Sequence, residues 1–182
     1  MKRALLFAFL LVSCAKHPSY ESQREKFVLV QAELMNPSDT IVLGDSITET
    51  NVLDGLCGKT FAAGIGGALI DDMQRLAPTL IAKSGARMAV LAIGTNDVID
   101  RKPRFDDRYR KLLDSLPVKP FALVGVHNGD NAFIVSEAHR IGAAYVPPLP
   151  TNLTRDGIHP NAQGARWWKA RVAAACPRSG KP

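Results

Sequence analysis

The chain has 182 residues, nearly half of them apolar, enough for one well-buried core and too few for two comfortable domains. Part of its formal charge of +6 is local, in Arg101-Lys102-Pro103-Arg104 and in the tail around Arg178 and Lys181; neither run has the interleaved aromatics of a nucleic-acid surface, so nucleic acid is set aside as a partner. His17, His127, His139 and His159 lie far apart and no Cys/His cluster has ligand spacing, so the sequence supports neither a metal nor another cofactor.

Residues 1–13 read as a secretory signal: Lys2 and Arg3, an apolar run from Ala4 to Val12, then Ser13 before Cys14. The run is too short to span a membrane, and its removal lowers the charge to +4. Residues 14–25 read as a polar tether, and residues 26–182 as the folded domain. Within it, Glu25 to Met35 is expected to be a helix with Phe27, Val30, Gln31 and Leu34 on one face. Ile41-Val42-Leu43 is a short buried strand, broken at Gly44 with Asp45-Ser46 behind it. A short helix is expected around Glu49 to Leu56, then a strand over Thr60 to Ala63 that runs into Gly64-Ile65-Gly66-Gly67.

A helix from Ala68 to Ala82 carries Leu69, Met73, Leu76 and Leu80. Met88 to Ile93 is apolar throughout, as a parallel strand covered on both faces should be, and ends at Gly94-Thr95-Asn96-Asp97. Helices at Phe105–Leu116 and Asn131–Ile141 alternate with strands at Phe121–Val126 and Ala143–Val146. After a proline-rich loop, Asn161 to Ala175 closes the chain as a helix in which Trp167 and Trp168 cannot share one face. Strands and helices alternating at these lengths predict a three-layer α/β/α sandwich with a central parallel sheet of about five strands. Successive strands end in glycine-rich polar turns that should lie side by side.

Those turns bear the chemistry. Ser46 sits at a strand end where a nucleophile would sit, although Ser46 or Thr48 could equally cap the next helix. A serine hydroxyl needs a base, and the base needs an orienting group. His159 is the better base, because Asp156 three residues earlier can reach Nδ1–H; His127 competes, but near it only Asp130 offers a carboxylate, in an Asn-Gly-Asp-Asn run. Candidate donors to an oxyanion are the Ser46 and Gly67 backbone N–H groups and the Asn96 amide. Read alone, Gly64–Gly67 could be a flexible loop or a phosphate cradle, but it lacks the Lys-Ser/Thr of a P-loop. Cys57 and Cys176 are either a disulfide or two buried thiols.

Leu11-Val12-Ser13-Cys14 resembles the lipobox of bacterial lipoproteins, which implies lipidation of Cys14 and a membrane-anchored, extracytoplasmic protein of the cell envelope. Together, Gly44-Asp45-Ser46, Gly64-Ile65-Gly66-Gly67, Gly94-Thr95-Asn96-Asp97 and Asp156-Gly157-Ile158-His159-Pro160 resemble the four blocks of the SGNH hydrolases, the GDSL-type esterases and lipases. That resemblance implies a flavodoxin-like α/β/α fold and a cofactor-free serine esterase. Its nucleophile would be Ser46, its base His159 with Asp156, and its oxyanion hole Ser46, Gly67 and Asn96. Ala62-Ala63 departs from the polar residue common in the second block. Short acyl or acetyl esters are expected, on an acetylated glycan or a lysophospholipid, with loops 98–104 and 127–131 shaping the site. A non-catalytic envelope binding lipoprotein and a glycan acyltransferase are the alternatives.

Overall fold

The computed structural model describes residues 19–51 and 53–177. The signal segment 1–13, Cys14 with the first residues of the tether, and Arg178 and Lys181 lie outside these residues. Five strands, β1 (Thr40–Gly44), β2 (Thr60–Gly64), β3 (Met88–Ala92), β4 (Pro120–Val124) and β5 (Ala144–Val146), form one sheet in the order β2-β1-β3-β4-β5 with every pair parallel. The helices are α1 (Tyr20–Leu34), α2 (Ser46–Glu49), α3 (Ile70–Ser84), α4 (Thr95–Ile99), α5 (Phe105–Ser115), α6 (Ala132–Ile141) and α7 (Ala162–Ala174).

Three elements differ from expectation. The first helix starts at Tyr20, so residues 20–25, expected in the tether, belong to the folded body; Ser19 caps the helix by accepting from Ser22 N–H at 3.2 Å. The helix expected over 49–56 is instead a single turn, Ser46–Glu49, and Gly55, in left-handed backbone at φ 68°, keeps a helix from running through the end of the expected span. A further short helix, α4, follows β3.

The residues of β1 alternate between two cores: Ile41 and Leu43 face the layer of α1, α3, α5 and α6, while Val42 faces the layer built by α7. The first layer buries Val28, Ile70, Met73, Leu80, Tyr109 and Ile134. The second has one long helix among the described residues, and loop residues Leu53, Leu56 and Leu149 fill the place of a crossover helix around Trp168, which is 1% exposed. Trp167 is half-buried at the edge of the same core, with the Arg171 guanidinium 5.3 Å from its ring centre. A disulfide between Cys57 and Cys176, 119 residues apart, ties that loop to the end of α7.

One capping interaction carries directly into the site. Asp45 is 1% exposed and caps α2 by accepting from Ile47 N–H at 3.0 Å, while its second oxygen has no partner among the described residues. Burial raises its pKa from 3.8 to about 6, against the opposing pull of the Ile47 N–H and the His159 ring.

Reducing the disulfide, or replacing both cysteines by Ser, should cost about 2–5 kcal/mol of unfolding free energy; equal urea midpoints for oxidised and reduced protein would contradict a structural bridge. Because the unfolded chain releases the Asp45 proton before the folded one does, this group's stability contribution is lost as pH rises from about 4 to about 6. Asp45→Asn, which keeps the capping oxygen, should therefore match the wild type near pH 4 and exceed it by about 3 kcal/mol above pH 7. A pH-independent difference would exclude the buried carboxylate as the cause.

Candidate active site

In this strand order the chain leaves β1 toward one edge for β2 and then returns past it to β3, so a crevice opens between the carboxyl ends of β1 and β3. Ser46 begins α2 at the end of β1, and Asn96 lies in α4 beyond β3. The turn into Ser46 is tight: a Cβ on Gly44 would stand 2.1 Å from Thr48 Oγ1 and 2.7 Å from the Ala92 carbonyl oxygen. Only glycine lets α2 start this close to the sheet.

The loop before α7 brings the second group. Thr154 and Pro160 pair across it, Arg155 N–H donates to the His159 carbonyl at 2.8 Å, and Gly157 takes a left-handed φ of 88°. Asp156 Oδ1 accepts from the backbone N–H groups of Ile158 (3.1 Å) and His159 (2.7 Å). Its Oδ2 accepts from His159 Nδ1–H at 2.7 Å, leaving Nε2 as an acceptor 3.0 Å from Ser46 Oγ. The His159 backbone N–H and then its ring hold the Asp156 carboxyl well below the usual carboxylate range, so it is ionised at neutral pH. This loop is held on α7 by Asn161, whose side-chain oxygen accepts from Gln163 and Gly164 N–H.

The glycine loop after β2 carries a candidate donor. Gly67 has φ 81°, a left-handed backbone conformation that favours glycine. Its N–H and that of Ser46 have no acceptor among the described residues, whereas Gly66 N–H is already used. Asn96 donates one amide hydrogen to the Ala68 carbonyl at 3.0 Å, which fixes the side chain and leaves its second hydrogen to donate. Asp97 beside it is buried and accepts from Ile70 N–H at 3.0 Å and from Arg108, fastening this turn to α3 and α5; burial raises its pKa against both donors.

Three residues here escape a reading of the sequence. Glu49, one turn beyond Ser46, accepts from Gly66 N–H through Oε2 at 2.6 Å. Its Oε1 lies 2.9 Å from Arg24 Nε and accepts the Tyr20 hydroxyl, and Arg24 Nε also donates to the Gly64 carbonyl at 3.1 Å. Helix α1 and the Ser46 helix thus grip the glycine loop from two sides. The spacing of Glu49 from Ser46 is a legible signal; Tyr20 and Arg24 lie in a polar stretch of α1 that apolar periodicity does not mark.

His127 is not brought to Ser46. Its ring is buried, with Nδ1–H donating to the Leu149 carbonyl at 2.9 Å and Nε2 unpartnered among the described residues, and it lines a small cavity with Ile47, Thr95 and Trp168. Asp130 accepts from Ala132 N–H and serves the turn before α6. No group of His, Cys, Asp and Glu among the described residues could hold a metal ion. A hydroxyl facing a carboxylate-oriented imidazole is an arrangement able to attack a carbonyl carbon.

No protein-family model matches the sequence, and no curated protein matches it. Solved structures do match. A protein provisionally assigned as an acylhydrolase, from Bacteroides fragilis NCTC 9343, superposes with a TM-score of 0.67 at 15% identity, covering 87% of this chain and 97% of that one. A two-domain esterase active on acetylated mannans superposes at 0.59 and 19% identity over 87% of this chain and 57% of its own. AlinE4, an SGNH-hydrolase family esterase, superposes at 0.53 and 16% identity over 77% and 95%. The fold of this chain is therefore that of the SGNH-hydrolase esterases.

Proposed function

We propose that this chain is a serine ester hydrolase working through an acyl-enzyme. The observation that carries the reading is the continuous relay from Asp156 Oδ2 through His159, at 2.7 Å, to Ser46 Oγ, at 3.0 Å. In the first half-reaction Ser46 Oγ attacks the ester carbonyl carbon as its proton passes to His159 Nε2. The oxyanion is met by the Ser46 and Gly67 N–H groups and the Asn96 amide. Collapse expels the alcohol, which takes the proton from Nε2. Water then attacks the acyl-enzyme with Nε2 again accepting a proton, releasing the acid and restoring Ser46. Asp156 stays ionised throughout and favours the transient imidazolium.

The substrate class follows from exposure. Asp156 and His159 keep 46% and 27% of their side chains accessible, so the reacting groups lie near the surface, which suits a small acyl group on a bulky alcohol. An acetylated glycan fits that description, and the mannan-active structural neighbour supports it by analogy of fold. The lipobox-like ending at Cys14 supports an enzyme anchored by lipid in the bacterial envelope, with acetylated glycans or lysophospholipids within reach.

On p-nitrophenyl acetate, Ser46→Ala and His159→Ala should abolish turnover above the uncatalysed rate, and Asn96→Ala should lower kcat about 10²–10³-fold with little change in KM. A Ser46→Ala protein that keeps its activity would end the proposal. Glu49→Ala, which frees the glycine loop without touching substrate, should lower kcat about 10–10²-fold at nearly constant KM. Unchanged kcat would show that the grip of α1 and α2 on that loop does not matter to catalysis.

A further inference from the structure

Five large apolar side chains are strongly exposed among the described residues, and four of them, Tyr20 (62%), Phe27 (53%), Val30 (55%) and Leu34 (78%), lie on α1. Their spacing of seven, three and four residues places them along one side of the helix. Val28 and Ala32 occupy another side and are fully buried in the core, so the helix cannot roll to hide the stripe. A helix of 15 residues runs about 22 Å. The stripe extends along most of that length and starts beside the candidate site: Tyr20 gives its hydroxyl to Glu49, and its ring edge lies 3.2 Å from where a Cβ on Gly66 would stand.

The preceding chain indicates what covers this stripe. Cys14, the residue that would carry lipid, is six residues before Tyr20, a reach of about 20 Å even when fully extended. An anchored chain thus holds the start of α1 at the bilayer surface. A second copy is the poorer occupant: four partly exposed side chains offer on the order of 400 Å², about half of what one partner of a stable dimer buries. No described helix is long and apolar enough to cross a membrane, so the stripe would lie in the interface rather than span it.

We propose that the Tyr20-Phe27-Val30-Leu34 face of α1 lies in the outer layer of the bilayer, so that the crevice containing Ser46 opens at the membrane surface. The proposal rests on the lipid-anchor reading of Cys14 for its occupant and not on the esterase reading.

The test uses the full chain, expressed in a bacterium that processes lipoproteins and reconstituted into phosphatidylethanolamine–phosphatidylglycerol vesicles. With Cys14 acylated and Cys57 bridged to Cys176, a single introduced thiol can carry a nitroxide. Val30→Cys and Leu34→Cys report on the stripe, and Ser136→Cys reports on exposed α6 at the far end of the same layer. Labels at 30 and 34 should show an oxygen-to-nickel-chelate accessibility ratio several-fold above that at 136. Equal ratios at the three positions, or dipolar broadening between copies at 30 and 34, would overturn the proposal. An intact mass without acyl groups would likewise overturn it, because the argument for the membrane as occupant rests on the anchor at Cys14. Turnover of p-nitrophenyl acetate by the labelled proteins in solution should equal that of the wild type, which keeps the esterase reading separate.

Discussion

The site depends on how closely a one-turn helix can approach the end of a sheet. Gly44 and Gly64 close the adjacent strands β1 and β2, and α2 sits against both: a Cβ on Gly64 would stand 2.1 Å from the Glu49 backbone nitrogen, as one on Gly44 would from Thr48. With no side chains in the way, α2 begins directly at Ser46 and ends at Glu49, within reach of Gly66. Two glycines thus set the position of a hydroxyl and of the loop that faces it. Larger residues there would push α2 outward and separate Ser46 from His159 before any catalytic group was altered.

The remaining architecture supports that placement unequally from its two faces. Beneath one face, α1, α3, α5 and α6 pack a large apolar core, and Arg108 joins Asp97 to Asp71 so that the turn bearing Asn96 is tied to this layer. On the other face α7 is the only long helix among the described residues, and it bears the loop of Asp156 and His159 at its start. The Cys57–Cys176 bridge closes the far end of that helix against the loop that replaces a crossover helix. His159 and Ser46 come from opposite ends of the sequence, 113 residues apart, so their 3.0 Å approach depends on how this thin layer is braced.

How far the sequence predicts the fold and the site varies with the physics behind each element. Apolar runs such as Met88 to Ile93 report a doubly covered strand because burial on both faces leaves no polar position, and the five strands and their parallel sense were readable for that reason. Ser46, Asp156 and His159, which the structure brings into contact, each stand at a break in the apolar pattern, as Asn96 does. The boundaries of α1 and α2 were not readable. Tyr20 to Glu25 is polar because its partners, Glu49, the Gly64 carbonyl and Arg75, are polar, so hydrophobic periodicity carries no trace of its docking. Nor does apolar spacing reveal the sign of a backbone angle: the run from Glu49 to Leu56 reads as helical, but Gly55 at φ 68° excludes a helix across it. The preference for His159 over His127 came from the three-residue spacing of Asp156, which a local pattern does encode; the Leu149 carbonyl that holds the His127 ring is what no local pattern shows.

An activated serine at position 46 is tested most directly by trapping it with a fluorophosphonate, followed by intact mass and peptide mapping. One adduct on the peptide containing Ser46, absent from Ser46→Ala and greatly slowed in His159→Ala, is the predicted result. A folded protein that takes no adduct, or takes it on another residue, would contradict an activated Ser46 and leave an esterase fold without an esterase site.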